Sequence, residues 1–150
     1  MIPCQLCASN LEPIIAESNH WRLILNRNQN LPGKCFLVVR RHIEAVPNLT
    51  SAEWIDLHRQ LARTTQVLTR AFRPDHFNYA FLQNQDRHVH LHVIPRYARP
   101  RTFASVVFDD PDYPAHYAVP ARVRRLAQVQ LVALAERLRQ LYARITAGEP

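Results

Sequence analysis

The 150 residues suit one domain, 1–150, that is long enough to bury a substantial core, and no run of about 18 apolar residues is present that would span a membrane. The formal net charge is +7, and arginine supplies almost all of the positive charge because Lys34 is the only lysine. The planar guanidinium matches phosphate and carboxylate oxygens, so an anionic ligand is one explanation of the excess; a basic, solvated surface is the other.

The cysteines indicate a reducing compartment. Three cysteines do not make a disulfide framework in a chain of this size, and the amino end lacks a charged and then apolar leader, so we expect a cytoplasmic protein. Cys4 and Cys7 form a C-x-x-C pair, which is either half a zinc site or a redox dithiol. The redox type usually follows a strand and opens a helix, and Cys4 lies too early for that. We therefore interpret 1–12 as a loop held by zinc, provided that two further ligands exist.

The first half of the chain predicts strands followed by a helix. Alternating and continuous apolar runs predict strands, and Asn, Pro and Gly predict a turn before the third one. Thr50 followed by Glu53 is a capping-box pattern, so a helix should begin there and end before Pro74. A fourth strand and a tight polar turn come next. These strands and turns are, in order, 13–17, 20–26, 28–33 (turn), 35–40, 77–82 and 83–87 (turn).

The second half predicts an irregular segment and a final helix. Residues 98–121 are rich in proline and aromatic residues and contain three clustered aspartates, which fits either a lid over a functional face or an ordinary packed loop. Apolar residues at helical spacing then predict a carboxy-terminal helix over 122–146, with arginines on its solvated face.

Between these halves, three histidines alternate with apolar residues. In a β-strand, residues two apart share a face, so His88, His90 and His92 would line one face at a spacing of roughly 6.6 Å while Val89 and Leu91 face the core. Pro95 is expected to end the strand. Such a row of imidazoles is a metal site, a phosphate site with a covalent nucleophile, or a coincidence on a solvated face.

The alternating run and the following Pro95-Arg96-Tyr97 resemble the signature of the histidine triad (HIT) superfamily, in its bacterial zinc-containing Hint/Fhit-like branch. The resemblance extends from Cys4 to Tyr97. It implies an α+β fold in which a five-stranded antiparallel sheet carries a central helix and a carboxy-terminal helix, and it implies a homodimer.

The resemblance also implies roles for individual residues. The structural zinc ligands would be Cys4, Cys7, His42 and His88. His90 would be the nucleophile that forms a nucleotidyl-histidine, and His92 would hold a phosphate oxygen and help to protonate the leaving group.

The nucleotide contacts depart from the family pattern. Asn26 stands where the family has a ribose-binding carboxylate, and the family's glycine-rich loop is replaced by the shorter 83–87. Gln83 or Asn84 would then contact the phosphates, and Arg87 would reach an anionic leaving group.

The leading hypothesis is therefore an enzyme that releases a nucleoside 5′-monophosphate, with a purine nucleotide such as AMP as the first candidate. Its substrates would be dinucleoside polyphosphates, phosphoramidates or similar adenylylated compounds. One alternative is a nucleotide-binding or partner-binding module with weak catalysis. Another is a hydrolase that removes adenylate from DNA ends, which the scattered arginines disfavour because no DNA-binding module is recognisable. A catalytic metal held by all three triad histidines is disfavoured because no acidic residue stands in the strand.

Overall fold

The computed structural model describes residues 4–8 and 13–149. Its centre is a five-stranded antiparallel sheet with the strand order β1-β2-β3-β5-β4. The expected α+β architecture is confirmed, with one long helix between β3 and β4 and one after the sheet. The bounds are β1 Ile14–Glu17, β2 Trp21–Leu25, β3 Cys35–Val39, α1 Ser51–Phe72, β4 His76–Ala80, β5 His90–Arg96, β6 Arg101–Phe103, β7 Val106–Phe108 and α2 Gln128–Thr146.

The two faces of the sheet differ in character. Opposed residues of β2, β3 and β5 share a face, as in the pair Leu23↔Leu37 and the pair Leu37↔Leu91. This apolar face packs against the helices, and the indole of Trp21 donates to the carbonyl of Glu53 in α1 (2.8 Å). The opposite face carries Phe36 paired with His92. The alternation in the sequence thus separates a core face from a face with chemical groups.

The start of α1 follows from local sequence. Thr50 Oγ1 accepts the backbone N–H of Glu53, and the Glu53 carboxylate accepts the N–H of Thr50, so the predicted capping box is confirmed. Before β3, Gly33 adopts φ +87°, and a Cβ at this position would lie 2.7 Å from a side-chain carbon of Leu68. The 28–33 turn therefore packs against α1 only because Gly33 has no side chain.

The histidine strand begins at His90, so the prediction that His88 shares this strand was wrong. Three further predicted boundaries were wrong in ways that physical chemistry explains. The segment 98–121 is not irregular throughout, because β6 and β7 form a hairpin whose two turn residues, Ala104 and Ser105, have φ 47° and 64°. Such turns usually contain Gly or Asn, so the sequence carries no hairpin signal there. Pro95 lies inside β5, opposite Phe77, instead of ending the strand. Its missing N–H is tolerated because pairing with β3 extends only as far as Val93.

The third boundary concerns α2, which begins at Gln128 instead of at 122. The preceding residues pair with the turn after β2: the Gln29 N–H donates to the carbonyl of Arg124 (2.9 Å), and the Arg124 N–H donates to Asn28 Oδ1 (2.8 Å). These bonds hold that stretch out of the helix.

At the amino end, residues 1–3 and 9–12 of the loop predicted over 1–12 lie outside the described residues. Within the described part, Gln5–Cys7 form a single 3₁₀ turn. Neither α1 nor α2, the long helices of the described chain, is apolar enough over its length to cross a bilayer.

Candidate active site and metal centre

Four side chains that are distant in sequence form one cluster. One ligand atom from each of Cys4, Cys7, His42 and His88 lies within 4.8 Å of all the others. The Cys7 Sγ is 3.3 Å from Nδ1 of both histidines, and the Cys4 Sγ is 3.4 Å from His88 Nδ1. The residues predicted to bind metal are therefore brought together.

The geometry of the cluster fits a zinc ion. Zinc–sulfur and zinc–nitrogen bonds of about 2.3 and 2.0–2.1 Å place neighbouring ligand atoms of a tetrahedron about 3.5 Å apart. The observed sulfur–nitrogen distances of 3.3 to 3.4 Å lie close to this value. Two thiols and two imidazoles also form a donor set that structural zinc sites use. The cluster therefore fits a Cys2His2 zinc ion in both its donor set and its sulfur–nitrogen distances.

His88 is oriented for this purpose by the main chain. The ring is fully buried, and its Nε2–H donates to the carbonyl of Val39 at 2.6 Å. Because a carbonyl can only accept, the proton sits on Nε2 and the lone pair of Nδ1 faces the two sulfurs. Burial lowers the pKa of His88, which keeps the imidazole in the neutral form that a metal requires. The carboxylate of Glu44 lies 3.6 Å from Nε2 of His42. It is placed to orient the His42 ring as the carbonyl of Val39 orients His88.

The other two triad histidines face each other. The Nδ1–H of His90 donates to the carbonyl of His88 at 2.7 Å, so the neutral ring carries its lone pair on Nε2. This Nε2 lies 3.2 Å from Nε2 of His92, which must then carry the proton between them. Phe36 packs edge-on against both rings. The arrangement presents one unprotonated nitrogen beside one N–H donor.

His92 is electrostatically constrained to the neutral form. Burial lowers the pKa of His92 to about 4, and the positive charge of the nearby Lys34 acts in the same direction. At neutral pH its Nε2–H is therefore a hydrogen-bond donor without a positive charge. A bound anion would raise the pKa of His92 again, since an opposite charge nearby favours the protonated form.

Both rings border a cavity of about 420 Å³. Of the predicted nucleotide contacts, Asn26, Gln83 and Asn84 line it. Arg87 does not, and its side chain is exposed. Apolar side chains from β3, from the loop after β4 and from the segment before α2 form another part of the wall: Phe36, Leu82, Val119, Pro120 and Val123. The carboxylate of Asp86 and the amides of Asn28 and Gln85 also belong to the lining. The space combines an apolar surface with a few polar groups, as small-molecule sites do.

The two amides differ in how they are already used. Asn26 Oδ1 accepts the backbone N–H of Asn28 at 2.9 Å, which fixes the turn after β2. Gln83 Nε2 donates to the carbonyls of Glu44 and Arg87, at 2.8 and 3.1 Å. The nitrogen of Gln83 therefore holds the loop after β4 in place, and Asn84 and Gln85 are the exposed amides of that loop.

Several residues of the cavity wall were not predicted from the sequence, and two of them, Lys34 and Tyr117, are hydrogen-bonded to each other. Lys34 stands two residues before Phe36, so alternation along β3 could have placed it on the histidine face. Tyr117 belongs to the segment predicted as irregular, and no sequence pattern links it to the histidines. It reaches the cavity because a buried ion pair between Arg96 and Asp110 (2.6 Å) fastens this segment to the end of β5.

Comparison with known proteins adds a family and a fold. A family model for the HIT domain matches residues 9–99. A bis(5′-adenosyl)-triphosphatase of Dictyostelium discoideum is 30% identical over 78 residues, 49% of this chain and 52% of that protein, so the chain spans about half the length of this curated relative.

Solved structures agree in fold. A histidine triad protein from Marinobacter aquaeolei VT8 has a TM-score of 0.72 at 21% identity, over 88% of this chain and 89% of the other. A zinc-bound histidine triad family protein from Mycobacterium smegmatis has a TM-score of 0.60 at 17% identity, over 91% and 87%. At such identities the likeness shows the shared fold.

Proposed function

The chain belongs to the HIT family, and from that premise we propose that it is a nucleotide hydrolase that releases a nucleoside 5′-monophosphate, AMP in the first instance. The proposed substrates are dinucleoside polyphosphates, phosphoramidates or similar adenylylated compounds. The observation that carries the proposal is the unprotonated Nε2 of His90, which borders a nucleotide-sized cavity beside the N–H of His92. The match to a bis(5′-adenosyl)-triphosphatase supports the same class of reaction.

The proposed reaction has two steps. Nε2 of His90 attacks the α-phosphorus, an N–P bond forms, and the bond from phosphorus to the leaving group breaks. Binding of the anionic substrate raises the pKa of His92, which then gives its proton to the leaving group. Water attacks the phosphorus in the second step, the N–P bond breaks, and His92 takes the proton from that water. The carbonyl of His88 holds the His90 ring in the productive tautomer throughout.

Zinc is proposed as a structural ion held by Cys4, Cys7, His42 and His88. The bond distances and the donor set of the cluster support this assignment. When bound, the ion would supply four-fold coordination and no reaction chemistry, since all four positions of a tetrahedral site are filled by protein. It would fasten the amino-terminal turn to the loop after β3 and to His88, two residues before β5.

For the nucleotide, we propose that Asn26 contacts the ribose and that Asn84, with the oxygen of Gln83, contacts the phosphates. Phe36, Leu82 and the apolar residues before α2 would pack against the base. We propose that Arg87 contacts the leaving group only where that group is long enough to extend beyond the cavity.

We further propose a cytoplasmic homodimer of one-domain subunits. Trp54 and Ile55 of α1 and Tyr79 of the edge strand β4 are exposed by 43, 56 and 45%. An apolar patch beside an unpaired strand edge favours association with a second copy. Sedimentation of the purified protein at micromolar concentration tests this, and a monomer at all concentrations would refute it.

The decisive experiment measures AMP release from a diadenosine polyphosphate and from an adenosine phosphoramidate, with the phosphorus label in the α position. We expect AMP as product and an acid-labile label on the protein in rapid-quench samples. Absence of both with every substrate would refute the hydrolase.

A weakly catalytic binding module is the second candidate. Its support is the engagement of the Gln83 nitrogen within the protein, which removes one donor from the phosphates. Nucleotide binding without AMP release would favour it.

A further inference from the structure

The only lysine of the chain lies inside the cavity wall. Lys34 precedes β3, and 3% of its surface is exposed. Phe36 lies directly opposite His92, so Lys34 lies one strand step beyond them on the same face. Both side chains line the same cavity, and the positive charge of Lys34 acts, together with burial, to lower the pKa of His92. A buried ammonium thus lies beyond the two facing histidines.

The partners of this ammonium are all neutral. Nζ donates to Asn30 Oδ1 at 2.6 Å and to the hydroxyl of Tyr117 at 2.9 Å. Over the described ranges 4–8 and 13–149, no carboxylate oxygen comes within 4.0 Å of Nζ. An ammonium has three N–H groups, and these two acceptors account for two of them.

A buried cation without a counter-ion is costly, and proteins normally pair such charges. Burial lowers the pKa of Lys34 to about 8, so the group still carries a proton for most of the time at neutral pH. The cavity beside it is where an opposite charge can arrive, because Lys34 lines that space together with Asn26 and His92. The missing partner is therefore expected to come with a ligand.

We propose that Lys34 binds a second anionic group of the substrate, separate from the phosphoryl group that His90 attacks. The cavity would then select nucleotides that carry at least two phosphates, and Asn30 and Tyr117 would aim the ammonium. This inference rests on the proposed function, since the position of the first phosphate is taken from it. The rival explanation is a purely structural link between the turn that holds Asn30 and the segment that holds Tyr117.

The test is equilibrium binding of AMP and of α,β-methylene ADP, which His90 cannot cleave at the α,β position to release AMP, to the full chain by calorimetry. The wild type should bind the methylene diphosphate more tightly than AMP. Lys34→Met keeps the length and the apolar stem of the side chain. It should lower the affinity for the methylene diphosphate by about 10- to 100-fold, the range for a lost hydrogen bond to a charged group. AMP should change by less than about threefold.

Tyr117→Phe is the matched control, because it removes one hydrogen bond to Nζ and keeps the charge. Because the ammonium keeps its charge and its bond to Asn30, this variant should lower the preference for the diphosphate by less than Lys34→Met does. If Lys34→Met lowers the affinity for both nucleotides equally, or for neither, the proposal of a second anionic contact is refuted.

The wild-type comparison needs no variant, so it holds even where Lys34→Met fails to fold. Equal affinity of the wild type for the two nucleotides would overturn the inference about Lys34 and leave the hydrolase proposal standing. Failure of both nucleotides to bind would overturn both. Because binding is measured without turnover, lack of AMP release in the separate assay would affect only the hydrolase.

Discussion

The metal cluster and the pair of catalytic candidates lie two residues apart in the chain, yet they are built differently. His88 is buried, with its Nδ1 facing two thiols, whereas His90 and His92 face each other beside a cavity. In each case a main-chain carbonyl fixes the tautomer: Val39 for His88, and His88 itself for His90. The two rings are protonated on different nitrogens. In His88 this leaves the lone pair of Nδ1 available to the proposed metal, and in His90 it leaves the lone pair of Nε2 available for the proposed attack on phosphorus.

This comparison shows that one alternating run can place its histidines in two separate clusters that share no side chain. The cluster gathers ligands from the amino end, from the loop after β3 and from His88, two residues before β5. The cavity gathers residues from β3, from the loop after β4 and from the segment before α2. The substitutions below separate the two.

The largest effect is expected from His90→Ala. Loss of the proposed nucleophile should lower kcat by about a thousandfold or more, because a residue that forms the covalent intermediate has no substitute. Zinc content, measured by atomic emission, should stay at the wild-type level. Full activity in this variant would show that another group attacks phosphorus.

Cys4→Ala should affect the metal cluster and not the pair of facing histidines. We expect zinc content and melting temperature to fall together, with a loss of several kcal/mol of folding free energy, since metal binding contributes directly to stability. Cys35→Ala is the matched control: Cys35 is fully buried in the core, outside the cluster, and this variant should keep its zinc. Unchanged metal content and melting in Cys4→Ala would contradict the assignment.

The wall of the cavity depends on an ion pair instead of a metal. Arg96 and Asp110 are both about 2% exposed, and Arg96 also donates to Asn78 Oδ1 at 2.7 Å. Asp110→Ala leaves a buried guanidinium unpaired, so unfolding free energy should drop by about 3–5 kcal/mol. Removal of zinc with a chelator should leave this difference in unfolding free energy between Asp110→Ala and the wild type unchanged. Glu136→Ala, which breaks an exposed pair with Arg139, should cost less than about 1 kcal/mol; equal losses in both variants would refute the role of burial.

The smallest effect is a pH dependence of stability due to His92. Its pKa is near 4 in the folded chain and near 6.5 when unfolded, so the unfolded state binds more protons between these values. Stability from this group is complete above pH 6.5 and declines as the pH falls towards 4. Denaturant titrations at pH 7, 5.5 and 4.5 should show a shallower decline in His92→Gln than in the wild type. Parallel declines would mean that other groups dominate.

Local signals in the sequence predicted much of the fold. The capping box at Thr50 placed the start of α1 because its hydrogen bonds join residues three apart. The alternation around His90 identified the core face because strand geometry fixes it. The β6–β7 hairpin was missed because Ala104 and Ser105 adopt positive φ without being Gly or Asn. The start of α2 was misplaced because hydrogen bonds to Asn28 and Gln29, distant in sequence, hold the preceding residues extended.

The candidate site divides in the same way. The four cluster residues and the two facing histidines followed from motifs, and the structure brings each set together. Lys34 and Tyr117 could not be predicted from motifs. Their contact joins two residues that are 83 positions apart in the sequence and that meet only in the folded chain. Arg87 was assigned from its place in the loop after β4, and its exposed side chain lies away from the cavity wall.

The hydrogen bond from His90 to the carbonyl of His88 has an evolutionary consequence. The acceptor is part of the polypeptide backbone, so every residue type at position 88 would still present it. In an enzyme whose imidazole is oriented by a carboxylate side chain, a single codon change removes the acceptor. Here the tautomer of His90 does not depend on the identity of any neighbouring side chain, so substitutions in the surrounding loops can change the cavity without changing which nitrogen of His90 is protonated.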